Sequence, residues 1–277
     1  MSKKIVEFRE ENPGTLFRFL QYIAAKKADL FELERHDQYS AEALKSADAA
    51  LFSFEQARLL YPSLQVLPTQ VRLMECFDFY LPEDKKWYPR LLFYEAIHDV
   101  LVHKARDLDI RVPAFIVGDG ECLRIAAAVC TELGYSEIYL IGENTVQLHR
   151  EARLLSRGNL GIKFKVLPIE ELTIQAVSAS LIINTIHLPS ESELLKDLSY
   201  FNFMNTGGYA FDCHLGNLHS ELMEEAERAE LKVLYPADLL QSLVRIVLEK
   251  LKQSDLVTSS DLQQWISDFK SENSPSV

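Results

Sequence analysis

The chain is poor in the residues that would commit it to a fixed chemistry. Its only cysteines, Cys76, Cys122, Cys130 and Cys213, form no CxxC pair and no regular spacing, which excludes a disulfide framework and a cysteine-rich metal module as organising devices. Scattered thiols suit a reducing compartment, and a cytoplasmic protein is expected. No apolar run reaches the roughly 20 residues needed to cross a bilayer. The opening stretch, Met1 to Glu11, is broken by charge too soon to read as a signal peptide. Basic residues are outnumbered, 29 Lys and Arg against 41 Asp and Glu, for a formal net charge of -12. A surface of that sign repels polyanions, so neither nucleic acid nor an anionic membrane is an expected partner.

What is present is ordinary globular material. With 48% hydrophobic and 25% charged residues over 277 positions, the chain can bury a sizeable core, and its length fits two domains. Ile5 to Phe8 reads as a strand, followed by a helix from Gly14 on Leu16, Phe17, Phe19, Leu20 and Ile23. Ala28 to Leu33, Asp48 to Phe54 and Leu64 to Leu67 read as further strands. Trp87 to Leu108 reads as one long amphipathic helix.

From Ala114 the pattern becomes regular: strand Ala114 to Val117, helix from Cys122, strand Ile138 to Ile141, helix Val146 to Leu155, strand Ile162 to Val166. Strands Leu181 to Asn184, Tyr209 to Phe211 and Val233 to Tyr235 follow, with helices near Glu191, Glu221 and Leu239. Such alternation predicts a doubly wound parallel sheet preceded by a smaller α/β domain. The expected domains are 1–86, a connecting helix 87–111, a Rossmann-type domain 112–235, and C-terminal helices 236–277 that include Ser260 to Phe269.

The strand-turn-helix Val112 to Arg124 contains Gly118-Asp119-Gly120, the tight turn and close backbone approach that cradle a pyrophosphate at a helix N-terminus. The third fingerprint position is Leu123 instead of a small residue, and Glu121 carries negative charge where the anion would lie. If the site is closed, Asp119 or Glu121 is expected to accept from the first helical N–H groups in place of phosphate.

Several segments together resemble shikimate dehydrogenases over about Ala96 to Leu251. The family's GAGGA(A/S)R loop corresponds to Gly118 to Arg124, and its Asn-Arg-Thr strand end to Glu143-Asn144-Thr145. Its LIINAT strand is closely similar to Leu181-Ile182-Ile183-Asn184-Thr185. Tyr209 to Asp212 matches a short strand ending in aspartate, and Ser220-Glu221-Leu222-Met223 stands where the family has Thr-x-Leu-Leu. The resemblance implies that Gly118, Gly120, Arg124, Glu143, Asn144, Thr145, Asn184 and Thr185 border a nucleotide. With Asn144 in place of the arginine that holds a 2′-phosphate, and Glu143 able to accept from a ribose hydroxyl or simply solvated, the cofactor expectation is none or weak NAD(P), NAD being preferred over NADP.

The same resemblance implies a catalytic lysine and aspartate that the chain lacks. No lysine occurs between Lys45 and Lys85, and the place of the aspartate falls at Tyr88-Pro89-Arg90-Leu91-Leu92. The carboxylate-binding Ser-x-Ser is replaced around Asn12-Pro13-Gly14-Thr15. The family's final glutamine gives way to an apolar residue within Pro236 to Leu243. His187, Asp212 and His214 are substitute acid-base candidates. With Cys213 and His219 they also contain metal-ligand types, but in no standard spacing, so no metal is expected. Cys122, at a helix start, is either a low-pKa thiol or a small core residue. The aromatic set Phe77, Phe79, Tyr80, Trp87, Tyr88 and Phe93 either lines a cleft or packs a core.

Two functions follow. One is a shikimate-dehydrogenase-like pseudoenzyme, a binding or regulatory protein with a small-molecule ligand in its interdomain cleft or a protein partner. The other is an NAD-dependent oxidoreductase acting on a different small hydroxy or keto acid.

Overall fold

The computed structural model describes residues 2–10, 12–84, 86–174, 176–189 and 192–272. Two compact units emerge, one of Met1–Ala96 with Leu240–Val277 and the other of Ile97–Leu239.

The first unit opens with β1 (Lys3–Phe8), α1 (Thr15–Lys26), β2 (Phe31–His36), α2 (Ala41–Lys45), β3 (Ala49–Phe52), α3 (Phe54–Leu60) and α4 (Thr69–Met74). It continues through β4 (Phe79–Glu83) and β5 (Lys86–Arg90) to the start of α5 (Leu92–Lys104). Its sheet has the order β2-β1-β3-β4-β5. The first three strands run parallel and β4 is antiparallel to both β3 and β5.

The second unit holds β6 (Ala114–Val117), α6 (Gly120–Glu132), β7 (Glu137–Gly142), α7 (Thr145–Gly158), β8 (Lys163–Pro168) and β9 (Ala179–Asn184). Then come α8 (Glu193–Ser199), β10 (Met204–Asp212), α9 (Glu221–Arg228), β11 (Lys232–Leu234) and α10 (Pro236–Lys250). All strand pairs are parallel, in the order β11-β10-β9-β6-β7-β8. The strand order reverses at β6 and β9, and it is outside the C-terminal ends of such a switch point that doubly wound sheets bind ligands. Both strands are buried along their whole length, as expected of central parallel strands covered on two faces.

The chain re-enters the first unit within α10 and ends in α11 (Ser259–Glu272). Leu262, Ile266 and Phe269 of α11 are buried at helical spacing, and the Phe269 ring lies 5.0 Å from Phe19 and 5.6 Å from Tyr22 on α1. Among the described residues no helix is long and apolar enough to cross a membrane.

Four segments depart from the sequence reading. The second strand begins at Phe31, not Ala28, and runs through charged Glu32 to His36, because β2 is an edge strand with much of its surface in water. Leu64 to Leu67 is not a strand: it lies between Pro62 and Pro68, and Pro68 caps α4. The helix expected from Trp87 starts only at Leu92. Pro89 bars the earlier residues from a helix interior, and they form β5 on the sheet edge, where a proline costs no ladder bond. The β4-β5 hairpin itself lacks a glycine signal, since Asp84 adopts the positive φ its turn requires. The start expected near Glu191 lies outside the described residues.

The carboxylate of Asp78 caps α5, accepting from Leu92 N–H at 2.6 Å and Phe93 N–H at 2.8 Å. Burial nonetheless pushes this carboxyl from its ordinary value of 3.8 up to about 7. A group that binds its proton more tightly when folded adds stability at low pH and loses it as pH rises through the folded value. Relative to Asp78→Asn, the native protein should therefore lose stability between about pH 4 and pH 7, by at most a few kcal/mol. Urea midpoints of the two proteins across that range check it, and a constant difference would refute a perturbed carboxyl.

Candidate functional site

Backbone comes first at the switch point. Gly118 directly follows β6 with φ +142°, and a side chain there would meet Thr185 Oγ1 at 2.0 Å. Gly120 has φ +59°, so both glycines hold conformations that other residues rarely adopt. The shape of a phosphate loop is therefore present, with α6 starting directly behind it.

The charges do not follow the shape. Asp119 is the N-cap of α6, and its side chain accepts no capping bond, so of the two acceptors expected to replace phosphate, Asp119 and Glu121, the first does not do so. Glu121 stands in the first turn, where the helix dipole would otherwise attract an anion. The cation at the end of the loop is engaged elsewhere: Arg124 is buried and its Nη1 donates to Glu151 of α7, itself buried. Burial raises the Glu151 carboxyl while Arg124 opposes the rise. Leu123 is wholly buried in the core. The loop therefore joins a dinucleotide-compatible backbone to a carboxylate in the first turn of α6 and an arginine paired internally.

Glu143 is exposed just beyond β7, and Asn144 spends its side chain accepting from Gln147 N–H at 3.1 Å as the N-cap of α7. Thr145 opens that helix. Thr185 donates its hydroxyl to the Val117 carbonyl at 2.9 Å, tying the end of β9 to the end of β6.

Asn184, Asp212 and His214 are brought together, but in a closed network. Asn184 Nδ2 donates to Asp212 Oδ1 at 3.0 Å and to the Ile186 carbonyl at 2.8 Å. Asp212 also accepts from His214 N–H at 3.0 Å and from the Ser220 hydroxyl at 2.6 Å. Burial pushes the Asp212 carboxyl up, against the pull of these donors. His187 is exposed, its ring centroid 5.2 Å from that of His214. Burial and then this neighbour depress the His214 imidazole. Among the described residues no three His, Cys, Asp or Glu side chains gather to hold a metal. Cys122 is half-buried, and the other cysteines are buried. A groove of about 650 Å³ between α8 and α9, lined by Tyr200, His219, Glu224 and Arg228 among others, shares none of the nucleotide-loop residues.

In the first unit, the end of β3 carries Phe52, whose ring packs 4.9 Å from Phe8 and 5.1 Å from Phe77. Tyr80 meets Phe52 edge-on and packs at a tilt against Trp87. Beside it, buried Gln56 links three loops at the strand ends: it donates to Glu10 at 2.9 Å, accepts from Tyr39 N–H at 3.3 Å, and sits on α3 after its own N-cap, Ser53.

Glu151 and Gln56 were not found from sequence. For Glu151 a signal existed, because Leu148, Glu151 and Leu155 share one helical face, and an acidic residue between two buried leucines marks a buried charge in need of a partner.

No family model matches this chain, and no curated protein matches it in sequence. Solved structures match it over nearly the whole length. A quinate dehydrogenase from Corynebacterium glutamicum in complex with NAD superposes with TM-score 0.76 at 9% identity, covering 98% of this chain and 99% of its own. A 5-ketofructose reductase of Gluconobacter gives 0.74 at 13% identity, covering 97% and 99%. A shikimate 5-dehydrogenase from Thermus thermophilus in complex with shikimate gives 0.71 at 15% identity, covering 98% and 100%. The fold is that of the shikimate and quinate dehydrogenases, as the sequence resemblance implied.

Removing one partner of a buried ion pair strands the other charge. Glu151→Ala should cost about 3–5 kcal/mol in urea unfolding, whereas the double change Arg124→Met with Glu151→Leu should recover most of that loss. Equal losses for the single and double variants would show that the pair is not what holds α6 to α7.

Proposed function

We propose that this chain, built on a shikimate dehydrogenase fold, has lost shikimate oxidoreductase activity and serves as a binding or regulatory protein for a small molecule or a protein partner. One observation carries the reading. Across Ala49 to Gln56, where the resemblance calls for a lysine, there is none: Phe52 ends β3 5% exposed and enclosed by aromatic rings, and buried Gln56 donates to Glu10. Neither a phenyl ring nor an amide can take or give the proton that hydroxyl oxidation must move. The engagement of Arg124 by Glu151, and the carboxylate of Glu121 at the helix start, further weaken any dinucleotide site.

A second reading, an NAD-dependent oxidoreductase of another small hydroxy or keto acid, draws support from the intact Gly118 and Gly120 backbone and from exposed Glu143. Its proton carriers would be His187, Asp212 or His214. Against it, both oxygens of Asp212 already accept internal hydrogen bonds.

Two measurements decide. Incubation with shikimate or quinate and either NAD or NADP should give no turnover, and a rate approaching about 1 per second would overturn the proposal. Calorimetry should find NAD binding weaker than about 1 mM, tightened some two- to five-fold by Glu121→Gln as a repulsive charge leaves the helix start. Micromolar NAD binding by the native protein would instead favour the oxidoreductase.

A further inference from the structure

β9 and β10 run side by side in parallel, with Asn184 and Asp212 as register partners at their C-terminal ends. Paired strands lie about 4.8 Å apart, so the two loops that follow leave the sheet as neighbours. His187 stands on the first of these loops and His214 on the second. The polar network at the strand ends fixes both. Asn184 Nδ2 donates to the Ile186 carbonyl, directly before His187, and Asp212 Oδ1 accepts from the His214 N–H. The bond between Asn184 and Asp212 joins the two halves. The sheet, and no sequence spacing, thus brings the two imidazoles together.

Their ring centroids are 5.2 Å apart and the ring planes are inclined by 43°. Two imidazoles on one tetrahedral ion, each with a metal–nitrogen bond of about 2.0–2.1 Å, hold their centroids about 5 Å apart. Among the described residues neither ring has a hydrogen-bond partner, so ring packing alone leaves the polar nitrogens of both without a use in the protein. One nitrogen of His214 is spoken for by position: Nε2 faces the backbone of Gly216, where an added side chain would meet it at 2.3 Å. Nδ1 is the nitrogen left for an ion, and exposed His187 can turn either of its own toward the same point. The Asp212 carboxylate beside the pair favours positive charge there. Imidazole nitrogens suit zinc, copper and nickel, whereas magnesium and calcium prefer oxygen.

We propose that His187 and His214 together bind one divalent transition-metal ion, zinc foremost, at the C-terminal ends of β9 and β10. Two protein ligands leave the other positions of the ion to water. Asn184 and Asp212 are positioning residues: they hold the two loops and do not touch the ion. The site requires neither a nucleotide nor turnover, so it stands or falls apart from the loss of oxidoreductase activity.

Half of a four-ligand set should bind zinc with a Kd of about 1–100 µM. Calorimetry of the native protein with zinc chloride at neutral pH should find one such site per chain, and magnesium chloride should give no binding. His187→Ala, a change on an exposed loop, should weaken zinc binding about tenfold or more. His103→Ala, which removes another exposed imidazole beside Asp99, should leave it unchanged. Cobalt in place of zinc reports the ligand type: two imidazoles give visible bands without the near-ultraviolet charge-transfer band that a thiolate such as Cys122 would add. No zinc binding, binding that survives His187→Ala, an equal loss in His103→Ala, equal binding of magnesium, or a thiolate band overturns the proposal.

Discussion

A carboxylate withdrawn from water costs several kcal/mol unless donors surround it, and Glu7, Glu151 and Asp212 are all buried here. Each has found its donors within the chain: the α1 N-terminus for Glu7, Arg124 for Glu151, and Asn184, Ser220 and a backbone N–H for Asp212. In a doubly wound fold these are the groups that would otherwise face a ligand, because helix starts and loop side chains gather at the strand ends. A ligand entering here must replace an internal partner, and it gains only the difference between its own contacts and those it breaks.

The second unit was legible because its signals are local. Its central strands are buried runs of Ala, Val, Ile, Leu and Phe, which need no partner to be recognised, and helices alternate with them at ordinary spacing. The polar network was legible only as a set of residue types. Asp212 and Ser220 could be named from motif order, but that the serine donates to the aspartate is a fact of three dimensions. Asp119, one of the two acceptors offered for the start of α6, does not take that role for a related reason: a side chain at the right position in sequence still has to turn toward the N–H groups, and this one does not.

The first unit was harder to read. Its hairpin turns on Asp84 with no glycine or asparagine to announce it, and its fifth strand contains the proline that usually argues against one. The covering of α1 by α11 joins residues some 250 positions apart, as Phe19 with Phe269 shows, and no periodicity within either helix specifies the other. The aromatic set around Phe77 and Tyr80 was left open between cleft and core. Phe77 and Phe79 are wholly buried, which settles them as core, while Tyr80 and Trp87 continue the cluster toward the surface.

The glycines of the phosphate loop, which first suggested a nucleotide, have a second explanation in the fold itself. A side chain on Gly118 would meet Thr185 Oγ1 at 2.0 Å, and one on Gly142 would meet the Gly118 carbonyl at 2.8 Å. The ends of β6, β7 and β9 therefore approach too closely for anything but glycine at these positions, whether or not a pyrophosphate is bound. Thr185 adds to the crowding by bonding back to Val117 through both its N–H and its hydroxyl. Gly118 and Gly142 are thus set by the closure of the sheet itself, and a chain that binds a nucleotide and one that does not would carry the same two glycines.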